Sequence, residues 1–177
     1  HFLFNCFNTL SSLINEDEAA AENFLNEMTK VYRYLLKGDE EQLVCFEEEL
    51  KFIESYLYLG ITRFGNALNV NIKISDDAKQ KRIAPLSLQI IIENIIYSNA
   101  FSKAKPLFIN IYTSGDKVII ENTIQPKKAI SIINFEDTLN SLITKYSMHS
   151  AEPVTIEQTA TRRSIKIPLI ENTEVTA

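Results

Sequence analysis

Isoleucine is spread so unevenly that it divides the chain before any motif is read. The sequence holds 24, of which 3 lie in residues 1–66 and 21 in residues 67–177. β-Branched side chains lose rotamer freedom in helices and pack well on a pleated surface. The first stretch is therefore expected to be helical and the second sheet-rich, giving an α+β chain with a domain boundary near residue 66. Charge divides at the same place: residues 1–66 carry 5 Lys and Arg against 12 Asp and Glu, whereas residues 67–177 carry 13 against 11. The net charge of −5 argues against a nucleic-acid partner, which would need a basic face. Cys6 and Cys45 form neither a disulfide framework nor a metal-ligand spacing. No apolar run approaches the roughly 18 residues that cross a bilayer. The chain opens at His1 within what reads as a continuing helical pattern, so a piece of a longer protein is expected.

In residues 1–66 the apolar positions Phe7, Leu10, Ile14, Ala21, Phe24, Met28, Val31 and Leu35 recur at three- and four-residue intervals, the mark of one stripe on a long helix. Lys37-Gly38-Asp39 supplies a stop. Leu50, Ile53, Leu57, Ile61 and Phe64 repeat the stripe on a second helix, with Glu47, Glu48, Glu49 and Lys51 placed mostly on the wet side. Two helices of roughly 35 and 25 residues with a short link make an antiparallel hairpin that buries one face of each. Pairing with a second copy through residues 1–66 would complete a dimeric four-helix bundle; the alternative is that the stripe packs on the second module of the same chain.

Beyond residue 66, the alternation over Leu68–Ile74 predicts a strand. Pro85 opens an apolar run, Leu86–Ala100, dense enough for a buried helix. Strands are expected over Pro106–Thr113 and Lys117–Asn122, joined by a Ser114-Gly115-Asp116 turn, and over Thr155–Gln158 and Ser164–Leu169. Residues 136–147 read as a short helix. The architecture implied is a mixed sheet with helices on one face.

Particular blocks carry a resemblance. His1-Phe2-Leu3-Phe4-Asn5 followed by Asn8, then Arg33-Tyr34, Glu49-Leu50, Tyr56-Leu57, Arg63-Phe64, Pro85-Leu86, Leu88-Gln89 and Glu93-Asn94, resemble in order and spacing the internal region of LytS-like sensor histidine kinases. The match covers residues 1 to about 100 and fades beyond 125, where Lys145-Tyr146 stands in place of a frequent Arg-Tyr. The resemblance implies a histidine-phosphotransfer hairpin over residues 1–66 and an ATP-binding α/β sandwich of the GHKL type over residues 67–177. It further implies a response regulator as partner and a membrane-spanning sensor upstream, which would place these residues at the cytoplasmic face.

The same resemblance assigns roles. His1 would be the phosphoacceptor, its neutral imidazole attacking phosphorus. By itself a histidine among aromatics is more often a packed or capping residue. Asn5, one turn on, would orient the ring or the incoming phosphate. Glu93 would stabilise the imidazole as positive charge develops, or else pair on a helix face. Asn94 would supply a hard oxygen to the Mg²⁺ that bridges the ATP phosphates. Ser98 and Asn122 are the remaining nucleotide-binding candidates. The sequence departs from the family where the phosphates would be gripped. Tyr97-Ser98-Asn99 replaces Lys-His-Gly, Glu121-Asn122-Thr123 keeps no glycine, and Glu136-Asp137-Thr138-Leu139 keeps only the leucine of a Gly-x-Gly-Leu box. Two readings follow: a kinase that autophosphorylates His1 from Mg-ATP and passes phosphate to a response regulator, or a catalytically dead dimeric scaffold that docks a signalling partner.

Overall fold

The computed structural model describes residues 2–37, 42–127 and 135–172. The chain runs α1 (Phe2–Glu16), α2 (Glu18–Lys37), β1 (Val44–Cys45), α3 (Phe46–Phe64), β2 (Leu68–Lys73), β3 (Arg82–Ile83), α4 (Ser87–Ser98), β4 (Leu107–Ser114), β5 (Lys117–Thr123), α5 (Phe135–Ser147), β6 (Thr155–Gln158) and β7 (Arg162–Pro168). The expected α+β class holds, with helices first and the isoleucine-rich part forming the sheet.

Five strands lie in the order β2-β4-β5-β7-β6. β2 and β4 are parallel, and the remaining neighbours are antiparallel. Side chains alternate across a strand, so Leu107, Ile109 and Ile111 of β4, Val118 and Ile120 of β5, and Ile165 and Ile167 of β7 share one buried face. Against it pack Leu88, Ile91, Ile92 and Ile95 of α4 and Leu139, Leu142 and Tyr146 of α5, all buried. Cross-strand register extends the same face to Asn122, opposite Arg163. One end of an otherwise apolar core is therefore polar.

The helical part differs from the single long helix that the stripe predicts. The stripe is interrupted at Asp17, whose Oδ1 accepts from the Ala20 N–H at 3.0 Å and so caps α2. There the chain reverses. A continuous helix would hold residues 2 and 32 about 45 Å apart, whereas the Phe2 and Tyr32 ring centroids are 6.4 Å apart. Part of the apolar stripe is thus met by α1 folding back along α2, which neither expected arrangement described. The link beyond α2 also contributes a feature the sequence hid: β1 pairs antiparallel with β3 through Val44–Ile83 and Cys45–Arg82.

Glu49 corrects a second expectation. It is not on the wet side: it is 0% exposed. Phe46, Glu49, Ile53 and Tyr56 lie three or four apart along α3, and all four are buried. Its Oε2 accepts from the Tyr34 hydroxyl at 2.7 Å and from the Leu86 N–H at 3.1 Å, and its Oε1 accepts from the Leu88 N–H at 3.1 Å. A carboxylate at a helix N-terminus satisfies orphan donors and complements the dipole. Leu86, the residue before α4, is held at φ 64°. A branched side chain in that left-handed region is strained by about 1–2 kcal/mol, and such strain persists only where neighbours fix it. Glu49 is one fixing group. Tyr146 is another, taking the Ala84 N–H at 3.1 Å and sharing a 2.9 Å hydrogen bond with Ser87.

Burial pushes the Glu49 carboxyl above its ordinary range, with its three donors opposing. Removing the carboxylate withdraws the acceptor from the Leu86 and Leu88 amides, so Glu49→Ala is expected to cost about 1–3 kcal/mol per buried amide left unmatched, read by urea denaturation. The pH dependence has a definite sign. A carboxyl whose folded pKa is raised contributes stability below its unfolded value, near 4.3, and loses it as pH rises through the folded value. The stability of the native protein relative to Glu49→Gln should therefore fall as pH is raised above the ordinary carboxylate range; a gap that widens instead would contradict this.

Candidate functional site

His1 lies outside the described residues; its neighbour Phe2 marks where the helix begins. The Phe2 ring stacks on Tyr56 of α3, centroids 4.7 Å apart and planes within 16°. Asn5, Cys6 and Thr9 of α1 line a small cavity of about 30 Å³, closed by Tyr56 and Arg63 of α3 and Tyr97 of α4 among others. Tyr56 then reaches Glu93, donating its hydroxyl to Oε1 at 2.6 Å, while Gln89 Nε2 donates to the same oxygen at 3.1 Å. Burial first, and the Glu93 charge second, push the Tyr56 phenol far above its usual range, which keeps it a donor. Asn5 and Glu93 are thus brought to one neighbourhood, linked through Tyr56.

Asn94 faces elsewhere. Successive residues on a helix point about 100° apart, and Asn94, 1% exposed, turns toward the sheet. There its Oδ1 accepts from Arg163 Nη1 at 2.7 Å. Asn122, 4% exposed, sits beside Arg163 in register on β5 and donates its Nδ2 to the Thr123 carbonyl at 2.8 Å. Ser98 returns its hydroxyl to its own helix, donating to the Asn94 carbonyl at 2.6 Å. Arg163 thus bonds Asn94 and lies opposite Asn122 in the strand register, and Ser98 bonds the main chain of its own helix.

Arg163 is the residue that sequence reading missed. Its signal was available in the period of β7: Arg163 precedes Ile165 and Ile167 in the row that faces inward, and an arginine there needs a partner. Asn99 and Gln125 were missed as well. Gln125 donates its N–H to Asn99 Oδ1 at 2.6 Å, Ala100 donates to the Gln125 carbonyl at 2.7 Å, and Lys127 donates to the Ser98 carbonyl at 3.2 Å. These bonds tie the chain after β5 to the end of α4. Among the described residues, the Asn94 oxygen is engaged by a guanidinium and almost wholly buried, so in this arrangement it is not open to a Mg²⁺ ion.

The first 68 residues match the family described as Histidine kinase. The chain is also similar to LytS sensor proteins. It is 36% identical over 107 residues to "Sensor protein LytS" of Bacillus cereus, covering 60% of this chain and 18% of that protein. It is 31% identical over 105 residues to "Sensor histidine kinase/phosphatase LytS" of Staphylococcus aureus, covering 59% of this chain and 18% of the relative. The chain thus corresponds to less than a fifth of the length of these relatives. Among solved structures, the catalytic domain of histidine kinase ThkA aligns over 73% of this chain and 97% of its own, with 11% identity and a TM-score of 0.48. Histidine kinase AdeS of Acinetobacter baumannii aligns over 90% and 83%, with 11% identity and a TM-score of 0.46.

Removing Arg163 takes the Nη1 donor from the buried Asn94 oxygen, costing about 1–3 kcal/mol. The expected outcome of a double-mutant cycle with Arg163→Ala and Asn94→Ala, read by urea denaturation, is a coupling energy of about 0.5–3 kcal/mol. Strict additivity would show that the two side chains do not depend on each other.

Proposed function

We propose that this chain is the signalling part of a two-component sensor histidine kinase whose ATP-binding half has become a silent scaffold. Residues 1–66 form the phosphotransfer and dimerisation module, with His1 as the ancestral phosphoacceptor, and residues 67–177 form the GHKL-like module. The module docks a response regulator, and an upstream membrane segment holds it at the cytoplasmic face. What carries the silent reading is the Arg163–Asn94 hydrogen bond at 2.7 Å. Mg²⁺ binds an oxygen ligand at about 2.1 Å, which here would put it within about 5 Å of the guanidinium. At an effective dielectric constant near 20, a dication and a cation at that distance repel by roughly 7 kcal/mol, before the negative charge of the ATP phosphates is counted. The glycine-free boxes at Glu121-Asn122-Thr123 and Glu136-Asp137-Thr138 agree, since backbone amides cannot approach phosphates closely past side chains.

A second reading, the working kinase, draws on one observation. Glu93 is held by Tyr56, on which Phe2 stacks, so the start of α1 retains a carboxylate one contact away. Thermal unfolding with millimolar Mg-ATP separates the two. A site filled at 100 times its dissociation constant adds about 2.7 kcal/mol of stability; no shift is expected here. A clear shift, with labelled phosphate appearing on the native protein and not on His1→Ala, would establish the kinase.

A further inference from the structure

We infer that the groove between α2 and α3 is a binding site for a compact phosphate-bearing anion, and that Tyr34 carries its occupancy to the start of α4. Asn94 takes no part in this groove, so the inference goes beyond the scaffold reading and stands apart from it.

Charge is the first support. Residues 1–66 carry five Lys and Arg against 12 Asp and Glu, and four of the five, Lys30, Arg33, Lys37 and Lys51, line this one groove. The fifth, Arg63, lays its guanidinium over the Phe64 ring at 4.8 Å. Helical spacing assembles the cluster. Lys30, Arg33, Tyr34 and Lys37 fall at i, i+3, i+4 and i+7 on α2, so they form one row along that helix. Lys51 and Phe52 face them from α3. Phe52, 4% exposed, lies deepest, with Tyr34 stacked on it at 4.2 Å between centroids.

The cations are also available. Lys30 pairs with Glu27 at 2.6 Å and Lys51 with Glu47 at 3.5 Å, each within one turn of its own helix, and exposed pairs of this kind contribute little. Arg33 is exposed and has no hydrogen bond or ion pair among the described residues. Its guanidinium presents a fork that matches phosphate geometry, and a lysine meets phosphate as a point charge.

Shape and the surrounding charge select the ligand. The groove encloses about 530 Å³, a size that suits a small molecule. Lys30 to Lys37 covers only about 10 Å along α2. A flat anionic bilayer does not enter a groove. A long acidic chain would run onto the rest of a module whose carboxylates outnumber its cations, beginning with Glu48 at the groove itself. Exposed charges are screened beyond about 8 Å, so an anion small enough to sit among the four cations gains from them and escapes the carboxylates. A phosphate ester carries up to about two negative charges on strong acceptor oxygens and can meet several of these donors at once.

Tyr34 gives the site a consequence. It lines the groove and donates its hydroxyl to Glu49 Oε2 at 2.7 Å, and the same oxygen accepts the Leu86 N–H at 3.1 Å. An anion beside Tyr34 disfavours the charge on Glu49 and draws on the same phenol hydrogen. Occupancy of the groove is thereby felt where α4 begins.

Inorganic phosphate is the probe, exchanged for chloride at constant ionic strength with no nucleotide or divalent metal, which keeps the outcome separate from the Mg-ATP test. In amide spectra of the ¹⁵N-labelled chain, the Arg33 and Lys51 signals should shift saturably with millimolar phosphate, and Leu86 and Leu88 should follow on the same curve. Arg33→Ala, at an exposed position, should weaken binding about tenfold through loss of one charge-assisted contact. Tyr34→Phe should keep the shifts at Arg33 and Lys51 and abolish those at Leu86 and Leu88. The inference is overturned if the shifts never saturate, if Arg33→Ala leaves the curve unchanged, or if Leu86 and Leu88 stay still as the groove fills. Arg33-dependent sedimentation with phosphatidylglycerol vesicles, without saturable phosphate shifts, would overturn it too by assigning the groove to a membrane surface.

Discussion

The carboxylate of Glu49 is the joint on which the rest of the molecule depends. It receives a hydroxyl from α2 and two backbone amides from the start of α4, at 2.7–3.1 Å, in a place where nothing of it meets water. A buried acceptor of this kind is costly unless every lone pair is used well, and the same cost makes the geometry definite. It fixes Leu86 in a left-handed conformation and sets the direction in which α4 leaves. The blocks that carry the family likeness converge on this spot: Tyr34, Glu49, Leu86 and, one layer beyond, Tyr146.

With its start fixed, α4 presents two adjacent polar residues to two different halves of the molecule. Glu93 looks to the helices and is held by Tyr56; Asn94 looks to the sheet and is held by Arg163. In a helix this division follows from the angular step between neighbours and costs no distortion. The face toward the helices holds the Glu93 carboxylate against Tyr56, beneath Phe2, while the face toward the sheet holds the Asn94 oxygen against Arg163. A guanidinium is permanently charged and presents a rigid fork, so the second contact has a fixed direction.

Much of this was legible in residue order because it follows from periodicity. The β-branched content separated helices from sheet, and the period of two marked β6 over Thr155–Gln158 to the residue. Three things were not legible, each for a physical reason. The reversal at Asp17 leaves the apolar phase intact, so spacing alone cannot distinguish it from a straight helix. Glu49 sits among other acidic residues, and only its partners, 15 and 37 to 39 residues away in sequence, make its burial tolerable. Arg163 is a long-range partner of Asn94, 69 residues apart, and such pairs are set by tertiary register. Of the site residues, Asn5 lines the same cavity as Tyr56, which bonds Glu93; Asn94 bonds Arg163, which lies opposite Asn122 in register; and Ser98 bonds its own helix.

The central claim, that the Asn94 oxygen belongs to Arg163 and not to a metal, can be read at that side chain. Mn²⁺ with ATP, added to protein labelled with ¹⁵N, broadens the amide signals of any group close to the bound ion. The Asn94 side-chain amide is expected to keep its linewidth at millimolar Mn-ATP. Its selective loss, with that of the neighbouring Arg163 signals, would place the metal at this oxygen and contradict the account.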